Sequence, residues 1–270
     1  MHAPMLIESR LLADASIPPA FSARRGGVST GTFDSLNFGN PGELEGPRRD
    51  PPASIAANFA SVLEKLGVQR REVVQVHQVH GDQVHTVRPG LPSHPAPAGD
   101  TTKADALVTD DPTRVIAVRV ADCTPVLLTS ADGRIVSAVH AGWRGVVAGI
   151  SLRALEAMEA LGADRGGVLA AIGPCISIHH FEIGPEVIAQ FRTAFGSDTP
   201  HVRETAGGKG HADMQGALAQ QLRHAGVRSI DLVERCTVGE PESFFSHRRD
   251  QGLTGRMIGL IGPRDARAHP

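Results

Sequence analysis

The chain has 270 residues, with 27 basic and 29 acidic side chains and a net charge of −2. That length suffices for a full hydrophobic core in one large domain, and the near-neutral balance gives no electrostatic drive toward a polyanion as long as nucleic acid, although a small phosphorylated ligand stays open. Three cysteines, an odd number in a chain too long to need staples, point to a reducing compartment and not to a disulfide framework.

In chain order, the segment Met1-His-Ala-Pro-Met-Leu-Ile-Glu8 carries an acid in its apolar run and no basic lead, so no signal peptide is expected. No apolar run nears the roughly 20 residues that span a bilayer, which makes a soluble cytoplasmic protein the expectation. Pro19 to Arg24 reads as a short strand entering Arg25-Gly-Gly-Val-Ser-Thr-Gly31, a loop whose glycines let backbone N–H groups approach a ligand. After an exposed stretch from Pro41 to Pro52, Ile55, Phe59, Val62, Leu63 and Leu66 form one helical stripe that stops at Gly67. Val73 to Val87 reads as two short strands with a turn at Gly81-Asp82. Alternation sends His77 and His80 to opposite faces, so at most one reaches a shared site, and His80, beside the glycine, is the better placed.

Leu91 to Thr102 is a loop or lid, and Lys103 to Pro112 adds a short strand. The apolar runs Val115–Val120 and Arg134–Val139, with Val126-Leu-Leu and an Asp132-Gly133 turn between them, read as buried strands joined by a tight hairpin. They end in Ala121-Asp-Cys and in His140-Ala-Gly-Trp-Arg-Gly145, which brings Cys123 and His140 to one sheet edge. Val146, Ile150, Leu155, Met158 and Leu161 then make one helical face ending at Gly162, its positive end close to that edge and favourable to anions. A buried strand at Val168–Ile172, a helix from Pro185 to Gly196, a loop at Ala206–His211, a helix capped by Asp213 and a closing strand at Met257–Ile261 complete the chain. There is no regular βαβ rhythm and no dinucleotide fingerprint, so the expected class is α+β with mixed or antiparallel sheets.

A thiolate and two imidazoles, His80, Cys123 and His140, with a vacant fourth position describe a catalytic zinc site, since a structural site would close with four protein ligands. Zinc there would lower the pKa of bound water toward about 7 or polarise a substrate atom. Asp122 or Asp105 would orient a ligand histidine or take a proton. Two rivals use the same residues: a cysteine hydrolase with Cys123 as nucleophile and His140 as base, and a copper oxidase, which is disfavoured because the chain contains no His-X-His pair. Cys123 as a small buried hydrophobe is the plainest alternative.

Gln78-Val-His-Gly81, Ala104-Asp-Ala106, Ala121-Asp-Cys-Thr-Pro125, Val139-His-Ala-Gly-Trp-Arg-Gly145, Gly173-Pro-Cys-Ile176 and Phe244-Phe-Ser-His-Arg-Arg-Asp250 resemble the YfiH or DUF152 family, whose members are called polyphenol oxidase (laccase-domain) proteins, purine nucleoside phosphorylases and peptidoglycan editing factors. The motifs run in family order from Arg24 to Met257, so the resemblance implies one such domain over residues 1–270, with packed mixed sheets and outer helices in α/β/β/α layers. It also implies zinc, or copper in its place, on His80, Cys123 and His140. Cys123, Asp122 and Arg24 then stand as candidate catalytic residues, and Arg24, Asp105 and Arg248 as candidate phosphate or substrate contacts, with Arg249 beside the last. The implied activity is phosphorolysis of adenosine, inosine and S-methyl-5′-thioadenosine, with adenosine deamination as a side reaction. The partners are then small, a purine nucleoside and phosphate, with no nucleic acid or membrane, in a monomer or small homo-oligomer. Editing of a peptidoglycan precursor and a non-catalytic metal-binding module are the alternatives. His247 stands where the family often has tyrosine, and His179-His180 extend the Gly-Pro-Cys-Ile loop, two departures that bear on base preference. Cys175 and Cys236 are expected to be small buried residues.

Overall fold

The structure, a computed structural model, describes residues 3–13, 19–42, 44–90 and 102–264. Of the loop or lid expected over Leu91 to Thr102, residues 91–101 lie outside the described residues. Two large sheets dominate. The first runs in the order β1 (Leu6–Glu8), β2 (Ala20–Ser22), β14 (Met257–Ile261), β6 (Arg114–Val120) and β3 (Glu72–Val74). The second runs β13 (Ser229–Leu232), β9 (Leu169–Ile172), β7 (Thr124–Thr129), β8 (Val136–Ala141), β5 (Ala106–Thr109) and β4 (Val84–Val87). A small third sheet joins β10 (Glu182–Ile183), β12 (Gly210–Ala212) and β11 (Val202–Glu204). The pairs β3–β6, β4–β5 and β9–β13 are parallel and the other pairs antiparallel, which makes both large sheets mixed.

Strand alternation builds the layers. Ile116 and Val118 of β6, Leu127 of β7 and Val136 and Ala138 of β8 fill the space between the two large sheets. Their neighbours Val115 and Ala117 turn outward onto Ile55, Phe59 and Val62 of helix α2 (Pro52–Lys65). On the other side Val126, Leu128 and Val139 meet Leu155 and Met158 of α4 (Ile150–Ala160) and Leu218 and Leu222 of α6 (Met214–His224). Both sheets are therefore buried on both faces, which is why their strands read as continuous apolar runs, and the α+β class with helices outside the sheets holds. A short α1 (Arg10–Ala13) and α5 (Pro185–Phe195) complete the helices named so far, and Asp213 caps α6 as expected, accepting from Gly216 N–H at 3.0 Å.

Four local expectations give way. β7 and β8 do form a hairpin, with Val126 opposite Val139, but Val115–Val120 is not part of it. β6 belongs to the other sheet, and the chain crosses between sheets through Ala121-Asp122-Cys123. Likewise β3 and β4 are not joined in one sheet by a turn at Gly81-Asp82; residues 75–83 carry the chain from the first sheet to the second. A run buried on both faces carries no mark of which sheet it joins. Finally, the single helix expected after Gly145 is two, α3 (Trp143–Ala148) and α4, divided by Gly149 at φ +80, a left-handed conformation that ends a helix. The expected loop at Ala206–His211 also contributes Gly210 and His211 to strand β12.

Candidate metal centre

Because β3 and β6 run parallel, their two crossings leave the first sheet at the same end, and the carboxyl end of β8 meets them there. Each crossing bends through a non-glycine residue with positive φ, His80 at +60 and Asp122 at +85, a conformation such residues seldom adopt. His80 is thus not in an extended strand, and what holds it is Asp105. That fully buried carboxylate accepts the backbone N–H groups of Val79, His80 and Gly81 at 3.2, 2.9 and 2.7 Å, and bonds His140 Nδ1 at 2.8 Å. Burial alone would raise the Asp105 pKa, but His140 and the backbone donors outweigh it and hold the group below its ordinary value. With Nδ1 facing Asp105, His140 offers Nε2 to the site.

One ligand atom from each of His80, Cys123 and His140 lies within 4.8 Å of the others. Two donors sharing one tetrahedral cation at 2.0 to 2.3 Å sit about 3.5 Å apart, so a small inward adjustment closes the trio on an ion. The two imidazoles meet edge to face, centroids 4.8 Å apart. Gly142 explains part of the His-Ala-Gly-Trp-Arg-Gly motif: a Cβ there would lie 2.9 Å from His80 Cδ2 and 3.4 Å from Cys123 Sγ, inside the donor cluster. A Cβ on Gly145 would lie 2.9 Å from the Gly81 carbonyl oxygen, against the turn that carries His80. The donor set suits a borderline cation such as zinc, and no fourth ligand joins it among the described residues.

Without a cation, the surroundings of Cys123 and His140 favour a thiolate–imidazolium pair. Burial would raise the Cys123 thiol, yet the nearby His140 and then His80 outweigh it and bring it below the ordinary thiol range. His140 moves the other way, raised despite burial by Cys123 and Asp105.

The trio lines a cavity of about 690 Å³. Trp143, Ile176, Phe181 and Met214 give it apolar surface, and Arg49, Arg119, Arg144, Arg248 and Arg256 give it positive charge. Asp122 lies on the wall, but its carboxylate accepts from Thr237 Oγ1 at 2.5 Å, Ser246 Oγ at 3.1 Å and Arg248 N at 2.6 Å, tying the Cys123 crossing to the segment 237–248. Arg248 reaches the cavity while donating to the Glu182 carbonyl at 3.2 and 3.3 Å, and His247 is beside it on the wall. Arg249 turns away into its own loop, donating to Thr237 O and Phe244 O. Arg24 is not among the cavity-lining residues: it donates to Asp34 O and Pro241 O and lies 4.6 Å over the Phe245 ring. Asp105 stands behind the histidines and off the wall. Cys175 is buried as expected, whereas Cys236 is half-buried, its Sγ 3.4 Å from His180 Nδ1.

Sequence reasoning passed over Arg49, Arg119 and Arg256. A signal was present for one of them, since Arg119 is a charge near the end of the otherwise apolar strand Val115–Val120.

A model of the family described as multi-copper polyphenol oxidoreductase laccase matches residues 19–264. The chain belongs to that family. Solved relatives carry its other names: a Neisseria meningitidis protein of family DUF152 superposes with a TM-score of 0.81 at 32% identity, over 96% of this chain and 99% of its own. YlmD from Geobacillus stearothermophilus gives 0.82 at 31% identity over 92% of each chain. The YfiH/DUF152 resemblance drawn from the motifs is therefore borne out. A protein of Deinococcus radiodurans named purine nucleoside phosphorylase is 38% identical over 248 residues, 92% of this chain and 89% of the relative. One of Mycobacterium tuberculosis with the same name is 40% identical over 241 residues, 89% of each. No helix of the described residues is long and apolar enough to cross a membrane.

Proposed function

We propose that this cavity carries out metal-dependent phosphorolysis of purine nucleosides, adenosine, inosine and S-methyl-5′-thioadenosine among them, with deamination of adenosine as a second reaction at the same centre. The observation that carries the reading is that a thiol and two imidazoles with an open side share one cavity with apolar surface and several arginines. Family relatives named purine nucleoside phosphorylase support it. A bound zinc ion, with copper as the alternative, would supply Lewis-acid chemistry at His80, Cys123 and His140.

The chain's own residues account for the rest. In phosphorolysis the bond from C1′ to the purine nitrogen breaks with its electron pair passing to the base, a phosphate oxygen bonds to C1′, and one proton ends on the released purine. Trp143, Ile176 and Phe181 offer apolar area to a purine ring, and guanidinium groups hold a phosphate dianion through paired N–H donors. Asp105 keeps the His140 ring in one orientation throughout. His247, on the wall where the family often has tyrosine, is the residue we assign to base preference.

Metal-loaded protein incubated with inosine and phosphate should release hypoxanthine and ribose 1-phosphate, read by chromatography. Absence of both products at stoichiometric zinc sinks the reading. The ion pair of Cys123 with His140 favours one second reading, a cysteine hydrolase acting on an acyl substrate such as a peptidoglycan precursor. Acyl labelling of Cys123 in metal-free protein, without phosphorolysis, would select it, and stoichiometric metal without any turnover would leave a binding module.

A further inference from the structure

Arg119 is tied down and, among the described residues, short of counter-charge. Gln78 grips its backbone from both sides, donating to Arg119 O at 2.8 Å and accepting from Arg119 N at 2.9 Å, so this arginine is locked to the segment that carries His80 two residues on. Its side chain runs along Gly39, where a Cβ would lie 3.0 Å from Arg119 Cδ, 3.3 Å from its Nη1 and 3.7 Å from Arg256 Cγ. A side chain at position 39 would thus close the groove in which two arginine stems lie together. The register explains the pairing: Arg119 is opposite Ile258, and Arg256, two residues before it, shares that face.

The Arg119 guanidinium makes a long hydrogen bond, Nη2 donating to the Val76 carbonyl at 3.4 Å, and among the described residues no carboxylate forms an ion pair with it. Burial and then the neighbouring Arg256 lower its pKa, the direction expected of a cation lacking an anion. Arg256 is itself engaged, its Nη1 donating to Thr254 O and Gly255 O at 3.0 and 3.1 Å. A half-buried guanidinium such as that of Arg119 is unfavourable unless something negative completes it, and Arg119, like Arg256, lines the cavity that contains His80, Cys123 and His140. The contrast is with Arg24, whose donors are engaged by Asp34 O and Pro241 O away from that wall.

We propose that Arg119, with Arg256 alongside, is a phosphoryl-binding subsite of the cavity, separate from the thiol–imidazole wall, that takes phosphate oxygens through guanidinium N–H donors. The subsite rests on the phosphorolytic reading only for the source of its anion, free phosphate as against a phosphoryl group carried by the nucleoside. The planar fork of arginine matches two phosphate oxygens at once, which lysine does not.

The test uses zinc-loaded protein at constant ionic strength, titrated with inorganic phosphate and separately with inosine 5′-monophosphate. Trp143, the chain's one tryptophan and part of the same wall, gives a fluorescence readout, checked by calorimetry. Arg119→Met should weaken phosphate binding about tenfold or more, the scale of a lost charge-assisted hydrogen bond. The KM for phosphate should rise in step while the KM for inosine stays near wild type, and Arg119→Lys should recover part of the affinity, as a packing role would not allow. Should Arg119→Met fail to fold, Arg119→Lys and Arg256→Gln carry the test. Wild-type affinity for both ligands in the folded variants overturns the proposal. Loss confined to inosine 5′-monophosphate supports the subsite and assigns it to a substrate-borne phosphoryl group. Phosphate binding that depends on Arg119 in a protein that releases no hypoxanthine keeps the subsite and removes phosphorolysis; hypoxanthine release with binding indifferent to Arg119 does the reverse.

Discussion

Cys123 and Cys175 lie at the same end of adjacent antiparallel strands, one just before β7 and the other just after β9, and they are chemically opposite. Burial pushes the Cys175 thiol up to about 12, with apolar core around it. Cys123 meets the same desolvation but faces His140 and His80, and its thiol comes down. What lowers one thiol where burial raises the other is the company of two imidazoles, and those imidazoles are held by the carboxylate of Asp105.

The largest test of that contrast is substitution of the two thiols. Cys123→Ala should remove stoichiometric metal and with it both phosphorolysis and deamination, a loss greater than the roughly 10- to 100-fold that an orienting partner is worth. Retention of either activity would break the shared centre. Cys175→Ala should keep metal and activity and lose about 1 kcal/mol of stability, measured by denaturant unfolding. Next comes Asp105→Asn, which should weaken zinc binding by roughly 10- to 100-fold in chelator competition, because an amide cannot accept from three backbone N–H groups and His140 Nδ1 as a carboxylate does.

The pH dependence is of similar size. His140 keeps its proton above the ordinary imidazole value of about 6.5, and a ligand histidine must be neutral, so metal binding displaces that proton. Affinity should therefore rise with pH, on the order of tenfold per unit across neutrality. Cys123, already a thiolate there, adds no second power; a slope nearer two per unit would show that its thiol is not lowered. The same state predicts that iodoacetamide labels Cys123 of metal-free protein below the ordinary thiol pKa of about 8.5 and leaves Cys175 intact, with zinc suppressing the reaction. Of the changes expected to impair the centre, Gly142→Ala should have the smallest effect. Its Cβ, 2.9 Å from His80 Cδ2, demands a shift of a few tenths of an ångström, which should weaken metal binding and turnover roughly tenfold, against roughly a hundredfold for a full ångström.

Much of the fold is legible in the residues themselves. Ile55 to Leu66 declares a helix by its stripe, Asp213 a cap, and Val126 to Val139 a hairpin, because each depends on neighbours within a turn or a strand pair. The candidate trio is legible too, as soft donors at polar corners where apolar runs end. What local pattern could not decide is which sheet each buried run joins: β6 and β8 look alike in sequence and lie in different sheets, and the crossings that result give His80 and Asp122 their left-handed turns. The composition of the cavity wall was equally beyond local reading. Arg24 sits in a glycine loop that invites a ligand and is engaged elsewhere, while Arg119, near the end of an apolar strand, is brought beside Arg256 by strand register and turned toward the cavity along Gly39. Helices, caps and hairpins rest on contacts a few residues apart, so the sequence by itself determined them; the wall rests largely on partners tens to more than a hundred positions distant, and only tertiary packing decides which donors are left for a ligand.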